Sequence, residues 1–222
     1  MRPRCINLTF HGVGDPDRAL EPGEAEVWVR GRELRSILDA VDGRDDVRIT
    51  FDDGNASDLE HALPALADRG LRATFFVVAG RLGTRGFLDA AGVRALADAG
   101  MAIGCHGMRH RPWRTLGDAA LREELLDARH RLEEIVQRPV AEAGCPFGSY
   151  DRRVLARLRR YGYERVYTSD RGRARADAWL QARNSVGPGA DAGVLDAIAA
   201  ADAGHAATAL GRRARLAVKR WR

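Results

Sequence analysis

The amino-acid sequence predicts an α/β fold, a single (β/α) barrel that spans residues 1–222 and is distorted or incomplete, with about seven strands. Three observations favour this fold. Strand-like and helix-like segments alternate, which is typical of parallel strands joined by helical crossovers. The glycine fingerprint of a dinucleotide-binding sheet is absent. Polar residues follow the predicted strands, at the end of a barrel where loops carry the chemistry.

The strands are predicted from short apolar or alternating runs. In chain order these runs are CINLTFHGV, VRITF, LRATFFVVAG, MAIGC, VAEAGCPFG, YERVYTSD and AWLQARNSV. The helices are predicted from apolar residues spaced three and four positions apart. They are GRELRSILDAV, SDLEHALPALADRG, AAGVRALADAG, residues 117–137, DRRVLARLRRYG and DAGVLDAIAAA. Ser57 is the expected N-cap of the second helix, and Gly70 follows its end.

Composition and charge indicate an ordinary globular protein, 45% hydrophobic and 30% charged. The net charge is +5, but among the 36 basic residues only Lys219 is a lysine, so the charge reflects a compositional bias toward arginine. Aromatic residues do not alternate with the arginines as a nucleic-acid stacking platform requires, and we expect no nucleic-acid partner. Cys5, Cys105 and Cys145 are widely spaced and odd in number, which predicts neither a zinc ribbon nor a disulfide framework.

The two ends of the chain carry separate predictions. The first residues, MRPRCINLTFHGVG, are predicted to be the first strand instead of a signal peptide, and we therefore expect a cytoplasmic protein. Residues 207–222 predict a basic helix. This helix either docks on the barrel with its arginines in water, or makes a weak contact with an anionic membrane surface.

Two acidic and two histidine residues follow predicted strands. Asp52 and Asp53 come after VRITF, and His106 and His110 come after MAIGC. The carboxyl ends of barrel strands meet at one end of the fold, so these side chains are expected to lie together. In a helical turn, two histidines four positions apart share one face. Two histidines and one carboxylate suffice for an open Zn²⁺ or similar site, and the second aspartate is then free to act as a general base.

Three segments resemble the motifs of a known family, the polysaccharide deacetylases, or NodB-homology carbohydrate esterases. TFDDG at 50–54 is similar to the first motif, HGMRH at 106–110 to the second, and CPFGSYD at 145–151 to the third. The likeness extends over roughly residues 7–170.

The resemblance implies a role for each motif residue. Asp52 is the implied general base, and Asp53, His106 and His110 are the implied metal ligands. The backbone N–H of Phe147 is the implied oxyanion donor. The implied cofactor is one divalent ion, Zn²⁺ first, with Co, Ni, Mn or Fe as alternatives. The implied reaction is metal-assisted hydrolysis of an N-acyl amide, usually an N-acetyl group on an amino sugar.

The sequence departs from the family pattern at two positions. Gly144 stands where the third motif often has an arginine that orients the base, so another arginine is expected to replace it. The C-terminal leucine–x–histidine motif is missing, and His205 lacks its context. His11, at the end of the first strand, is the predicted general acid because histidine is the side chain suited to proton transfer near neutral pH. The alternative for His11 is a hydrogen bond within the first loop.

Four further residues are candidates for substrate binding. Trp113, shortly after His110, is placed to stack on a sugar ring, with packing in the core as the alternative. Asp170 follows a predicted strand and is expected to orient a histidine or contact substrate. Pro146 and Tyr150 belong to the third motif.

These observations predict a metal-dependent hydrolase that removes an N-acyl group, expected to be N-acetyl, from an amino sugar or glycoconjugate partner. A cytoplasmic location favours nucleotide-linked or lipid-linked sugars, or a soluble amide. One alternative is another amide hydrolase on the same scaffold, a deformylase or ureide hydrolase. The other is a non-catalytic glycan-binding barrel, which the missing arginine and terminal histidine favour.

Overall fold

The computed structural model describes residues 3–203 of the chain. His205 and the basic segment 207–222 lie outside the described residues. The strands are β1 (Arg4–Phe10), β2 (Val47–Asp53), β3 (Ala73–Val77), β4 (Ala102–Cys105), β5 (Glu142–Gly144), β6 (Arg165–Thr168), β7 (Arg173–Arg175), β8 (Leu180–Ala182) and β9 (Asn184–Ser185).

Seven strands pair in the order β1-β2-β3-β4-β5-β6-β8, and every pairing between them is parallel. The chain then passes from β8 through the single residue Arg183 into β9, which pairs with β1 in parallel. This segment joins the two edges of the sheet, so the barrel is nearly closed. β7 pairs in an antiparallel manner with the first three residues of β1, Arg4 to Ile6. The predicted barrel of about seven strands is confirmed.

Strand alternation divides the first strands into a polar and an apolar face. Phe10, Phe51 and Phe75 lie in register on β1, β2 and β3, and their rings stack with centroids 5.3 and 4.8 Å apart. The residues before two of them, Thr9 and Thr50, face the other way and their hydroxyls hydrogen-bond at 3.0 Å. The polar face leads to the end of the barrel where β2 finishes with two aspartates.

The helices are α1 (Gly31–Val41), α2 (Leu63–Ala67), α3 (Ala90–Asp98), α4 (Asp118–Arg122), α5 (Ala128–Val136), α6 (Arg152–Arg160) and α7 (Val194–Ala203). Two helices predicted as regular contain π turns, Asp58–Ala62 before α2 and Glu123–Asp127 between α4 and α5. Ser57 does not cap its helix, because its hydroxyl accepts the Val13 N–H at 3.2 Å. Within residues 3–203, no helix has the length and apolar character needed to cross a membrane.

Candidate metal centre

Asp52 and Asp53 are the last two residues of β2, and both are buried, with 3% and 4% of their surface exposed. In a regular strand, neighbouring side chains point to opposite faces. Asp53 has a φ of 77°, a left-handed value rare outside glycine, and this ends the regular strand geometry. Both carboxylates therefore line the same cleft.

His106 follows β4 directly and is fixed at two points. Its backbone N–H donates to the Val77 carbonyl at 2.9 Å, and its Nδ1 lies 2.8 Å from the Gly144 carbonyl oxygen. With the proton on Nδ1, the ring donates it to Gly144 and leaves the Nε2 lone pair free. That Nε2 atom lies 3.5 Å from Oδ1 of Asp53.

His110 reaches the same carboxylate oxygen from a loop. Its Nε2 lies 3.2 Å from Asp53 Oδ1, and its ring centroid is 5.1 Å from that of His106. Residues 106–110 do not form the helical turn in which two histidines four positions apart would share a face, because the segment is irregular. Gly107 and His110 have φ values of +88° and +52°, and these left-handed positions, not helical spacing, bring the two rings together.

Asp53, His106 and His110 each offer one ligand atom, and these atoms lie within 4.8 Å of one another. Oδ1 of Asp53 is buried and has no hydrogen-bond partner among the described residues. Burial lowers the pKa of His106 to about 4 against the opposing charge of Asp52, so at neutral pH the ring is in the neutral form that binds metals. Two imidazole nitrogens and one carboxylate oxygen fit an open site for Zn²⁺ or a similar ion.

Arg183, at the junction of β8 and β9, holds Asp52. Its guanidinium is 1% exposed and donates to both carboxylate oxygens, Nη1 to Oδ1 at 2.6 Å and Nη2 to Oδ2 at 2.7 Å. Burial raises the pKa of Asp52, but the charges of Arg183, His106 and His11 outweigh this effect and lower the pKa to about 2. Asp52 is therefore ionised at neutral pH.

An arginine at position 144, which the family motif often carries, would require the neighbouring side chains to shift by a few tenths of an ångström. A Cβ on Gly144 would lie 3.1 Å from His106 Nδ1 and 3.1 Å from Cγ of Phe76. Arg183 approaches Asp52 from a different strand, and its guanidinium carbon lies 5.0 Å from the Phe76 ring. Sequence reasoning missed Arg183 because the predicted strand AWLQARNSV continues through it, whereas β8 ends at Ala182. Placing that strand end would have put Arg183 with the other polar residues that follow strands.

The carboxylates and imidazoles line a cleft of about 380 Å³. Of the predicted site residues, the cleft is lined by His11, Asp52, Asp53, His106, His110 and Phe147. It is also lined by residues that no sequence pattern indicated: Glu21, Pro22, Gly23, Glu24, Val27, Ser169 and Ser185. Most of this second set belongs to the irregular segment between β1 and α1, which has neither strand nor helix periodicity.

His11 precedes the three motifs in the sequence and Phe147 belongs to the third, and both residues line the cleft. His11 is half-buried, and its Nδ1 has no hydrogen-bond partner among the described residues. Phe147 lies in the turn Pro146–Gly148 with a φ of 56°, and 68% of its surface is exposed. Its ring centroid is 4.6 Å from that of His110.

Four predicted substrate contacts do not line the cleft. Trp113 is fully buried, so the prediction that it stacks on a sugar is wrong and its core-packing alternative is confirmed. Pro146 is buried as well. Tyr150 is fully buried, and its hydroxyl donates to Asp170 at 2.6 Å. The Thr168 hydroxyl donates to the same Asp170 oxygen at 2.9 Å, so Asp170 ties two elements of the framework together.

The family model for polysaccharide deacetylases matches residues 40–166, more than half of the chain. The chain belongs to the polysaccharide deacetylase family. The matched segment holds both aspartates, both histidines and the PFG turn, so the motifs that suggested the family are the ones that build the candidate metal centre.

Individual relatives agree with this assignment. YxkH of Bacillus subtilis strain 168, whose name places it among the polysaccharide deacetylases, is 27% identical over 145 residues, which are 64% of this chain and 52% of YxkH. The chain thus spans about half the length of this relative. The Streptococcus pyogenes deacetylase PplD, solved in complex with acetate, has a TM-score of 0.79 at 18% identity over 89% of this chain and 99% of PplD. The Bacillus cereus polysaccharide deacetylase BC0361 has a TM-score of 0.76 at 17% identity over 88% and 69% of the two chains. At these identities the two structures support the fold.

Proposed function

We propose that this polysaccharide deacetylase is a metal-dependent hydrolase that removes an N-acetyl group from an amino sugar or glycoconjugate. One observation carries the proposal. Asp53 Oδ1 is buried without a hydrogen-bond partner and faces the Nε2 atoms of His106 and His110, while the neighbouring Asp52 is ionised and bound by Arg183. A protein that only bound glycans would gain nothing from an ionised carboxylate beside an unfilled set of metal ligands.

The two aspartates have different roles in the proposed hydrolysis: Asp53 binds the metal and Asp52 acts as the general base. Asp53, His106 and His110 would hold a divalent cation, which supplies Lewis-acid polarisation of the acyl carbonyl and of the attacking water. Asp52 takes a proton from that water as general base. Arg183 keeps Asp52 ionised and fixes both of its oxygens, so that the carboxylate stays oriented toward the cleft.

Two further groups complete the proposed hydrolysis. The backbone N–H of Phe147 donates a hydrogen bond to the oxygen that gains charge as the carbonyl is attacked. His11 donates a proton to the leaving amine, since an amine leaves as a neutral molecule only after it is protonated. The position of His11 in the lining of the cleft supports this role.

The test uses protein purified without chelator, its metal content, and acetate release from N-acetylated sugars. Asp53→Ala is expected to lose the metal, because it removes the carboxylate that both histidines face. Asp52→Asn is expected to keep the metal and lose turnover by about 10²-fold or more, because it removes the general base. Asp46→Asn is the matched control, since Asp46 precedes the same strand at its opposite end and pairs with Arg44; it should keep both properties.

Each remaining outcome has a defined meaning. Metal retained in Asp53→Ala overturns the ligand assignment. A metal-containing wild-type protein that releases no acetate moves the search to formyl amides and ureides. A wild-type protein that binds no added Zn²⁺ or Co²⁺ overturns the hydrolase and leaves the glycan-binding barrel.

A further inference from the structure

Glu124 is a fully buried carboxylate that the proposed hydrolysis does not use. It lies in the π turn Glu123–Asp127. A π turn holds one more residue than a regular α-helical turn and so changes which residue faces inward, and such turns are frequent at functional sites. A buried carboxylate is costly unless it is paired and hydrogen-bonded. The partners of Glu124 therefore show what this carboxylate stabilises.

Those partners all belong to the loop that follows His106. Oε2 of Glu124 accepts the Met108 N–H at 2.9 Å, and Oε1 accepts the Arg109 N–H at 3.1 Å. Oε1 also accepts Nε–H of Arg111 at 2.8 Å, in an ion pair that is buried on the glutamate side. Three donors within four consecutive residues thus converge on one side chain, and these residues flank His110 on both sides.

The loop needs such an anchor because its backbone is strained. His110 has a left-handed φ of +52°, a conformation that is unfavourable for a residue other than glycine. Gly107 has a φ of +88°, and a Cβ on it would lie 2.2 Å from Oε2 of Glu124, so the carboxylate packs directly against the glycine backbone. On its other side the loop accepts hydrogen bonds from the Ala79 and Gly80 N–H groups, each at 2.9 Å. The loop is therefore held on one side by Ala79 and Gly80, which follow β3, and on the other side by Glu124.

The two candidate histidine ligands depend on the contacts of Glu124 with the loop to different degrees. His106 has its own supports in the carbonyls of Val77 and Gly144. The Nδ1 atom of His110 is buried and has no hydrogen-bond partner among the described residues. No hydrogen bond on Nδ1 therefore orients the His110 ring from behind, and its approach to Asp53 depends on the backbone of this loop, which Glu124 anchors.

We propose that Glu124 is a positioning residue that holds His110 in its metal-binding orientation by anchoring the backbone of residues 108–111. This inference rests on the proposed metal-dependent function. A ligand presented in its final orientation pays less ordering cost when the metal binds, and loss of such a supporting partner commonly weakens metal affinity by about 10–100-fold.

The test compares Glu124→Gln with Glu133→Gln in the full chain after chelator treatment. Glu124→Gln keeps the shape of the side chain but turns an NH₂ group toward donors, so at least one of its contacts becomes repulsive. Glu133 makes equivalent contacts farther along, accepting the Val140 N–H at 3.0 Å and Arg129 Nε at 2.8 Å, but it supports a loop that carries no site residue. The readouts are the Co²⁺ dissociation constant, the visible spectrum of bound Co²⁺ and the melting temperature.

Glu124→Gln is expected to raise the Co²⁺ dissociation constant by about tenfold or more and to change the Co²⁺ absorption bands, which depend on ligand number and geometry. Glu133→Gln is expected to lower the melting temperature while keeping the wild-type dissociation constant and spectrum. If Glu124→Gln does not fold, Arg111→Gln takes its place, because it removes one partner of Glu124 from a residue that is 32% exposed, and it should weaken Co²⁺ binding in the same direction.

Wild-type Co²⁺ affinity and spectrum in folded Glu124→Gln, or in Arg111→Gln as its replacement, overturn this inference and leave the proposed function standing. A wild-type protein that binds no Co²⁺ overturns the proposed function, and the inference with it. Equal weakening by Glu124→Gln and Glu133→Gln also overturns the inference, because it assigns the effect to general loss of stability.

Discussion

Asp52 and Asp53 are adjacent in the chain, but their surroundings give them different properties. Asp52 has both oxygens bound by Arg183, while Oδ1 of Asp53 faces two imidazoles and accepts no hydrogen bond among the described residues. The first arrangement stabilises a permanent negative charge, and the second leaves a lone pair for a cation. The left-handed φ of Asp53 places these two environments on one cleft.

Removal of Arg183 should shift the pH dependence of the reaction. In Arg183→Met, burial continues to raise the pKa of Asp52, and the largest opposing charge is gone, so the pKa rises above its present value of about 2. A general base is active only when ionised, so the acidic limb of kcat/KM against pH should move to higher pH. Breaking a buried pair from one side also costs about 3–5 kcal/mol of stability.

Arg165→Met is the control for this experiment, because Arg165 pairs with Glu142 at 2.7 Å outside the cleft. It should leave the acidic limb in place. Arg183→Lys keeps the charge but not the paired hydrogen bonds, and its acidic limb should lie between those of the wild type and Arg183→Met. An acidic limb that is identical in Arg183→Met and the wild type would refute the assigned role.

His11→Gln should affect amides more than activated esters. An N-acetyl amide needs a proton on its leaving nitrogen, and loss of the general acid should reduce kcat by about 10²-fold or more. A phenyl acetate releases a stable phenolate, so its hydrolysis should fall much less. His61→Gln is the control, since His61 is an exposed histidine that does not line the cleft. Equal losses on both substrates would place His11 outside the proton transfer.

At the scale of elements, the sequence predicts regular segments well and irregular ones poorly. Periodicity located α1 as Gly31–Val41 because its buried residues repeat every three or four positions. The spacing of His106 and His110 is compatible with a helical turn, but the spacing of two histidines carries no information about backbone dihedrals, and the segment is irregular. Gly107 and Glu124 decide that conformation together, and they are 17 positions apart in the numbering of the chain.

The loop between β4 and α4 offers a matched pair of glycine variants. Gly107→Ala places a methyl group 2.2 Å from the Glu124 carboxylate at a φ of +88°, so it should destabilise the protein by more than about 1 kcal/mol and weaken Co²⁺ binding. Gly117→Ala, near the end of the same loop, has a φ of −70° and nothing within 4 Å of the new methyl group. Because Gly117 is the N-cap of α4, where alanine is less favourable than glycine, the variant should lose some stability but keep wild-type Co²⁺ binding. Thermal melts and Co²⁺ titrations of both variants measure the difference, and equal behaviour would contradict the loop's role.

At the scale of the whole molecule, alternating strands and helices predicted the barrel, and the barrel predicted that polar residues after the strands would meet. The sequence did not indicate which residues meet where the two edges of the sheet are joined. Arg183 and Asp52 are separated by 131 positions and come together only because β8 and β9 join opposite edges of the sheet. Trp113 shows the converse, since its position close to His110 in the chain suggested the cleft, but the fold places it in the core.

The barrel as a whole should be more stable when the centre holds a cation. Asp53, His106 and His110 come from the ends of β2 and β4 and from the following loop, so a shared ion would link elements that are far apart in the chain. At a free Zn²⁺ concentration 100 times the dissociation constant, binding to the folded state alone contributes about 2.7 kcal/mol. For a domain of this size that corresponds to a rise in Tm of roughly 5–11 °C. Calorimetry of chelator-treated protein with and without Zn²⁺ measures the rise, which Asp53→Ala should abolish and Asp46→Asn should preserve. A wild-type Tm that Zn²⁺ leaves unchanged, or a full rise in Asp53→Ala, would show that these three residues do not form the site.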